Sequence, residues 1–463
     1  MTKIKFKEKV GYGFGDAASS MFWKIFTFYL AIFYTDVFGI SAAAAGTMFL
    51  VTRIWDTVND PIMGVICDRT NTRWGKFRPY LLWVAIPFGI IGIILFTTPN
   101  LSVTGKLVYA YITYTLMMMA YTAINVPYAS LLGVMSGNSN DRTSLASYRM
   151  VFAFGGSILV VGIYQPILDF FKNSVAETTA YQLTMIIIGG LAILFFMLTF
   201  SWTRERIKVP KDQKHNLKED IKNLLHNIPW FILLGAGVMT LIFNSIRDGV
   251  ALYYFKYYII DETAVSISKM TFTFSTLYLL LGQVFNMFGV IMAKPVSAKI
   301  GKRKTFMYAM FISAVFSSLF YTCNDNMIIM IYILQAIVSF FAGIIFPLLW
   351  SMYADTADYS EWKTGRRATG LVFSASSMTQ KLGWTLGGSI TLWLLAFFNF
   401  QANRDQSADT INGIKIMISI IPAIAALLSG IFMYFYQLSE SKVKKITTAL
   451  ESQRNRVEND KVE

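Results

Sequence analysis

An otherwise apolar run from residue 42 to residue 66 contains the segment RIWDTVNDP, residues 53–61. The run is long enough to cross the hydrocarbon core of a bilayer as a helix, which takes about 20 residues. Ionisable side chains are costly at that depth, so those found there are functional candidates by default. Asp56 and Asp60 stand four residues apart, which puts both carboxylates on one helical face with Asn59 beside them.

These acids predict a cation site. Two carboxylates and an amide oxygen are hard ligands that suit a small cation. Two adjacent acids in a low dielectric can equally share a proton, so proton coupling stays open. A structural alternative also stays open, in which one acid pairs with Arg53 or with a basic residue of the next span.

The composition indicates that the whole chain lies in a membrane. Of its 463 residues, 55% are apolar and 15% are charged, against about 25% charged in an average soluble domain. The formal charge of +14 fits basic loops that face anionic lipid. No GxxxxGK[ST] loop supports ATP drive, and no nucleophile with a base supports an enzyme. Two cysteines and two histidines make a disulfide framework, a His/Cys metal site or a bound cofactor unexpected.

Apolar runs of spanning length recur along almost the entire chain. We predict twelve spans, at 16–36, 42–66, 79–97, 107–134, 144–168, 181–203, 228–256, 268–293, 305–323, 327–353, 369–398 and 411–437. The first run has no cleavage site after it, so it is expected to remain as a helix of the mature chain.

Lys and Arg are concentrated in alternate loops, as the positive-inside rule requires of real spans. The rich loops include those at 69–78, 204–222, 294–304 and 363–367. This alternation predicts a multi-pass protein of a bacterial inner membrane with both termini in the cytoplasm.

A polar stretch divides the predicted spans into two sets of six. The expected organisation is an N-terminal half at 1–203, a central loop with a short amphipathic helix at 204–227, a C-terminal half at 228–438 and a cytoplasmic tail at 439–463. A weak repeat supports it, since GVI at 64–66 and GKFR at 75–78 correspond to GVI at 289–291 and GKRK at 301–304. The predicted fold class is an all-α membrane protein with the major facilitator fold, whose substrate site lies between the halves.

Other intramembrane charges are expected to face a wet cavity. They are Asp16, Lys24, Arg149, Arg247, Asp248 and Lys381. Lys24 and Arg247 have a competing interpretation, because long cationic side chains also snorkel toward an interface. The loop after the second span, with Asp68, Arg69, Arg73, Gly75 and Arg78, holds an acid and several cations and is interpreted as a conformational gate.

Several longer segments resemble the melibiose permease-like glycoside-pentoside-hexuronide:cation symporters, a family of the major facilitator superfamily. The resemblance covers essentially all twelve spans. It is carried by GYGFGD at 11–16, YTDVFG at 34–39, RIWD at 53–56, NDPIMG at 59–64, RWGK at 73–76, ADTADYSEWK at 354–363 and the later Lys381.

The resemblance implies a cation site on four residues, Asp56, Asn59, Asp60 and Thr122. It implies sodium as the coupling ion, with protons or lithium as substitutes. Lys381 is expected to bridge the cation and sugar sites by pairing with the second-span acids in the empty state. Cation binding would raise sugar affinity, and by linkage sugar would raise cation affinity.

For the sugar, the resemblance implies Asp16, Arg149 and Tyr121, while the family's fourth-helix acid is Asn125 here and a nearby aromatic is Ala129. The galactoside specificity is therefore not carried over. A pentoside, a glycoside and a hexuronide all stay open. Because Asn125 removes a carboxylate while Lys24 and Arg247 add positive charge, the anionic hexuronide is slightly favoured.

The sequence thus predicts a monomeric, cation-coupled sugar importer that works by alternating access, with no nucleic-acid partner. Two alternatives remain. A lysolipid or drug transporter of the same superfamily would need an apolar cavity, against which the polar residues Asp16, Asn125 and Arg149 speak. A sugar sensor that does not transport would need a signalling domain beyond the basic tail.

Overall fold

The protein is helical throughout most of its length. A computed structural model describes residues 4–136, 139–206, 226–259, 263–267, 270–364 and 369–459. The first part of the chain contains α1 (Phe6–Phe28), α2 (Leu30–Ile32) with a π-helical end at Phe33–Phe38, α3 (Ala42–Arg69), α4 (Arg78–Trp83), α5 (Ala85–Leu95), α6 (Val103–Met135), α7 (Ser139–Lys172) and α8 (Glu177–Trp202).

The second part begins with α9 (Ile228–Tyr254) and its π-helical end at Phe255–Ile259. It continues with β1 (Thr263–Ile267), β2 (Met270–Thr273), α10 (Phe274–Ile300), α11 (Lys302–Leu319) with a 3-10 turn at Phe320–Thr322, α12 (Ile328–Thr364), α13 (Thr369–Phe397), α14 (Ala408–Ile418), α15 (Ile420–Phe435) and α16 (Glu440–Asn459).

Helices occupy each of the twelve predicted spans. Eight of those in the described ranges are long and apolar enough to cross a bilayer, and α1 with the segment Leu30–Phe38 makes a ninth, bent by 49°. Large apolar side chains such as Ile54, Ile112 and Ile333 are exposed on these helices, as a lipid-facing surface requires. The chain is therefore a multi-pass membrane protein, and the count of twelve remains a prediction.

The predicted eighth span begins too early. It was expected from residue 268, whereas the helix begins at Phe274. The residues before it pair as an antiparallel two-stranded hairpin, β1 with β2. The sequence Met270-Thr271-Phe272-Thr273 alternates apolar and β-branched polar residues, which suits a strand, and an apolar window alone cannot distinguish the two structures.

Two helix contacts position the polar side chains of the first half. α1 packs along α7, and α3 packs along α6. The first contact is unusually close, because a Cβ atom added at Gly156 would lie 2.5 Å from the carbonyl oxygen of Ala17. Small residues of this kind let membrane helices approach backbone to backbone.

The chain forms two compact units that differ from the two predicted halves. One unit comprises 1–211, 248–283 and 388–414, and the other comprises 212–247, 284–387 and 415–463. The first unit thus includes segments from the predicted second half. The predicted amphipathic helix of the central loop falls on residues 207–225, outside the described ranges, and the division into halves remains a prediction.

Candidate cation and substrate site

The second-span acids meet a hydroxyl of α6. Thr122 Oγ1 lies 2.9 Å from Asp56 Oδ1 and 2.8 Å from Asp60 Oδ1. Asp56 is 2% exposed and Thr122 is 1% exposed, whereas Asp60 is half-buried, so the oxygens converge at a largely buried position. The helical periodicity of α3 places the two carboxylates, and the packing of α3 on α6 supplies the third oxygen.

The Thr122 hydroxyl cannot donate to both carboxylate oxygens at once. A threonine hydroxyl carries one proton and can donate it to only one acceptor. The charge of the second carboxylate must be balanced by another group, and a proton, a bound cation or a neighbouring cationic side chain such as Arg53, which interacts electrostatically with Asp56, can each do this. Asn59 lies one residue before Asp60 on α3, and its part in the site remains a prediction.

Arg53 lies one helical turn before Asp56. Its Nε donates to the Tyr114 hydroxyl at 3.0 Å, and its guanidinium stacks over the Trp23 ring at 4.6 Å from the centroid. These contacts hold the arginine between α1, α3 and α6.

Asp16 and Arg149 form the central polar pair between α1 and α7. Arg149 Nε lies 2.9 Å from Asp16 Oδ2, and Nη2 lies 3.4 Å from Oδ1. The guanidinium also lies over the Tyr128 ring, 5.2 Å from its centroid. A fork of two hydrogen bonds over an aromatic face is the geometry that arginine provides and lysine does not.

Tyr121 and Asn125 are polar side chains of α6 that contact α1, the helix that carries Asp16. Asn125 Nδ2 donates to the Tyr121 carbonyl at 2.9 Å, and its Oδ1 lies 2.7 Å from the Ser19 hydroxyl of α1. The Tyr121 ring lies beside the Trp23 ring, with centroids 5.8 Å apart. Asn125, where the family has an acid, therefore makes neutral contacts to α1.

Lys24 pairs with an acid of α9. Its Nζ lies 3.5 Å from Asp248 Oδ2, and the two side chains are 15% and 23% exposed. Sequence reasoning noted Asp248 as an intramembrane charge without assigning it a partner. The pair places opposite charges from the first and seventh predicted spans side by side.

Arg247 and Lys381 belong to the second compact unit. Arg247 is 5% exposed, and it donates to Gln335 Oε1 at 2.7 Å, Ser317 Oγ at 3.0 Å and the Ile418 carbonyl at 3.1 Å. These contacts favour a structural role for Arg247 over the predicted sugar contact. Lys381 is half-buried on α13, and its bridging role remains a prediction.

The predicted gate loop binds the side chain of an acid from outside the loop, Glu205, which the sequence did not indicate. The Glu205 carboxylate accepts hydrogen bonds from the backbone N–H groups of Lys76, Phe77 and Arg78, at 2.9, 2.7 and 2.8 Å. Gly75 has a φ of +112°, and a Cβ atom there would lie 2.4 Å from Glu205 Cδ. The glycine therefore permits both the turn and the approach of the acid.

Other residues of the gate loop have simpler surroundings. Arg78 Nη2 donates to the Phe200 carbonyl at 2.7 Å, and the exposed Arg73 stacks on Trp74 at 4.5 Å from the ring centroid. Arg69 is exposed at the end of α3. The side chain of Asp68 lies outside the described part of the structure.

The far end of the first predicted span is joined to the seventh. The buried Asp36 carboxylate accepts hydrogen bonds from Lys256 Nζ, at 2.5 Å, and from the Tyr257 hydroxyl. Asn403 Nδ2 donates to the Asp36 carbonyl, and the Thr35 and Tyr253 hydroxyls are 2.9 Å apart. All of these residues lie in the first compact unit.

Comparison with known proteins identifies the family. Residues 11–440 match the family described as MFS/sugar transport protein. The chain is 35% identical to the putative glycoside/cation symporter YagG of Escherichia coli, over 97% of this chain and 96% of that protein. It is 32% identical to the isoprimeverose transporter of Lactiplantibacillus pentosus, over 96% and 91% of the two chains. The protein belongs to the glycoside-pentoside-hexuronide:cation symporter family.

Some relatives of this symporter are named for a neutral sugar and others for an anionic one. It is 30% identical to the glucuronide carrier protein homolog of Escherichia coli, over 98% of this chain and 97% of that protein. The crystal structure of a D-xylose-proton symporter superposes with a TM-score of 0.57 at 15% identity, covering 93% of this chain and 96% of that one. The fold is thus that of the major facilitator superfamily. The protein is a cation-coupled sugar symporter of the inner membrane and not an enzyme.

Proposed function

We propose that this symporter imports a glycoside, pentoside or hexuronide together with sodium, by alternating access. The cation binds first, at Asp56, Asp60 and Thr122 with Asn59 beside them. Its binding raises the affinity of the neighbouring sugar site, and sugar raises the affinity for the cation by the same factor.

The observation that carries the proposal is the convergence of three oxygens at a largely buried position. Thr122 Oγ1 lies within 2.9 Å of one oxygen from each of two carboxylates, so two carboxylate oxygens and a hydroxyl oxygen meet at one place. A small, hard cation held by oxygen ligands would balance this charge. A proton would do so as well, and lithium differs from sodium mainly in size, so the experiment below compares all three ions.

The sugar would bind along the row from Asp16 and Arg149 to Asn125 and Tyr121. Ionised and amide groups recognise hydroxyls through paired donors and acceptors, while the rings of Tyr121 and Trp23 offer flat apolar faces. Lys24 lies two helical turns beyond Asp16 on α1 and would border the same cavity. Arg247 is left out of the proposed sugar site because its donors are bonded within the second unit.

Alternating access requires the joined ends of the first and seventh predicted spans to separate. In this structure they are held by Asp36 with Lys256 and by Thr35 with Tyr253. With both termini in the cytoplasm, these residues face outward. Opening toward the outside would break the ion pair, and its re-formation would accompany release of sugar and cation inside. Lys381 would pair with the second-span acids once the cation has left.

The test is uptake of labelled glycosides, pentosides and hexuronides by membrane vesicles, with an imposed sodium, lithium or proton gradient or with none. Sodium-driven accumulation of at least one sugar is expected. Thr122→Ala is expected to reduce sodium-stimulated uptake by about tenfold, as for the loss of one hydrogen bond to a charged group. Asp60→Asn is expected to abolish accumulation while sugar exchange persists.

Thr184→Ala is the matched control. Thr184 is equally buried, but its hydroxyl donates only to the carbonyl of Ala180 within its own helix, at 2.8 Å. This variant should transport like the parent protein. Full sodium-stimulated accumulation by Asp60→Asn would contradict the assignment of the cation site, and accumulation driven only by protons would replace sodium in the proposal.

A further inference from the structure

Two of the cations near the proposed sugar site, Arg149 and Lys24, lie beside acids. Arg149 is bonded through two nitrogens to Asp16, at 2.9 and 3.4 Å. Lys24 lies 3.5 Å from Asp248. Each pair joins one positive and one negative group, so neither adds net charge to the cavity.

Lys24 and Asp248 keep some exposure, in contrast to a fully buried structural pair. Their side chains are 15% and 23% exposed, and they come from α1 and α9. Lys24 Nζ also lies over the Phe28 ring, 4.9 Å from the centroid. The pair is therefore positioned to meet a solute while each partner still screens the other.

Arg247 adds no accessible positive charge. It is 5% exposed and its guanidinium lies over Phe320, 4.5 Å from the ring centroid, in addition to its bonds to Gln335 and Ser317. The sequence favoured an anionic substrate because it counted Lys24 and Arg247 as unmatched cations. With one neutralised and the other enclosed, these two cations no longer support that argument, and only the replacement of an acid by the neutral Asn125 remains of it.

We propose that the carried sugar is uncharged and that Asp248 sets this preference by neutralising Lys24. The inference rests on the proposed function and names its substrate class. Hydroxyl groups can donate to the carboxylates and accept from the cations without disturbing either pair. A substrate carboxylate beside Lys24 would lie close to Asp248, and juxtaposing like charges in a cavity is costly and selects against that ligand.

The experiment compares sugars that differ at one carbon only. A xyloside, a glucoside and a glucuronide share ring stereochemistry and carry hydrogen, a hydroxymethyl group or a carboxylate at C5. An arabinoside, a galactoside and a galacturonide form a second such series. Labelled methyl glycosides of all six are offered to vesicles under a sodium or proton gradient, with binding to the purified protein measured in parallel.

The parent protein is expected to take up a neutral sugar at least about tenfold faster than the uronide of the same series. Asp248→Asn is expected to raise the ratio of uronide to neutral uptake by about tenfold, because it leaves Lys24 uncompensated. The double variant Lys24→Gln with Asp248→Asn should restore the neutral preference. Asp169→Asn, which removes an acid that is bonded to Gln165 on α7, should leave the ratio unchanged.

The outcomes separate the two proposals. Gradient-driven uptake of a uronide in preference to its neutral counterparts would overturn the inference and leave the symport function standing. An unchanged ratio in Asp248→Asn, with uptake preserved, would overturn the role of Asp248. Failure of all six sugars to bind or to accumulate would overturn the proposed function and this inference with it. If Asp248→Asn does not fold, the ratio of uronide to neutral uptake is still measured in the parent protein and in the double variant, and a preference for the uronide in the parent protein would overturn the inference.

Discussion

Two loops of similar sequence, one after α3 and the other after α10, bind an acid in different ways. In the first clasp, Gly75 to Arg78, three backbone N–H groups surround the Glu205 carboxylate at 2.7 to 2.9 Å. In the second clasp, Gly301 to Arg303, one N–H group, that of Lys302, donates to Glu440 at 3.4 Å. Glu205 follows α8 and Glu440 begins α16, so each acid lies just after a candidate membrane span.

The two clasps share their turn and their arginine. Gly75 and Gly301 both have positive φ, at +112° and +85°. Arg78 donates to the Trp74 carbonyl of its own loop and to the Phe200 carbonyl near the end of α8, and Arg303 donates to the Met433 and Tyr434 carbonyls near the end of α15.

The two clasps differ in which groups of the loop bind an acid. The second clasp uses a side-chain pair instead of a backbone cradle, with Lys302 Nζ 2.8 and 3.0 Å from the two Asp355 oxygens. A repeated glycine and basic residue can therefore specify the same turn while the acid that completes it is supplied differently. The following variants test this comparison.

The largest effect is expected for Gly75→Ala. A methyl group there would lie 2.4 Å from Glu205 Cδ and would force the acid out of its cradle in addition to straining the backbone. We expect a loss of about 3 kcal/mol or more in the free energy of unfolding. At Gly301 the nearest atom is 3.8 Å away, so Ala should cost only the backbone strain, about 1 to 2 kcal/mol. Thermal unfolding in detergent measures both, and equal shifts would contradict the comparison.

A smaller effect is expected for the acids. Glu205→Ala leaves three backbone donors without their charged acceptor and should cost about 2 to 3 kcal/mol. Glu440→Ala removes one long hydrogen bond and should cost less than about 1 kcal/mol. The melting temperatures of the two variants, measured side by side, provide the comparison. A larger shift for Glu440→Ala would show that the second clasp depends on its acid more than the geometry indicates.

The smallest effect is expected for the arginines, which the two clasps have in common. Arg78→Lys and Arg303→Lys each lose the second carbonyl contact because an ammonium group lacks the guanidinium fork. We expect a similar loss of about 1 kcal/mol in both. Unfolding curves recorded alongside those of the preceding variants measure these losses. A clear difference between the two losses would mean that Arg78 and Arg303 do not stabilise their clasps to the same extent.

Much of the fold follows from the sequence. Spanning runs, charge bias and the four-residue spacing of Asp56 and Asp60 are local properties, so they predict helices in the right places and two carboxylates on one face. The β1–β2 hairpin was missed because an apolar window does not distinguish a short strand from the start of a helix.

The site was predicted less completely than the fold. The resemblance to the family supplied Thr122, which lies 66 residues from Asp56 in the chain and 2.9 Å from it in space. Nothing in the local sequence indicated that Asp248 neutralises Lys24 or that Asp36 pairs with Lys256. The sequence does contain an acid directly after a predicted span, Glu205, and a loop of glycine and basic residues elsewhere. Neither feature predicts a contact by itself, because only the fold shows that the two meet.

The sequence by itself determined that this is a membrane protein with two carboxylates on one helical face, because hydropathy and helical periodicity act over a few turns, and the resemblance of its motifs implied the symporter family. Only the tertiary structure decided which charges remain available to a substrate. The sequence predicted that Lys24 and Arg247 add positive charge to the cavity, whereas one lies beside Asp248 and the other is enclosed by Gln335 and Ser317. Electrostatic compensation falls off with distance in space, and that distance is set by the packing of helices far apart in the chain.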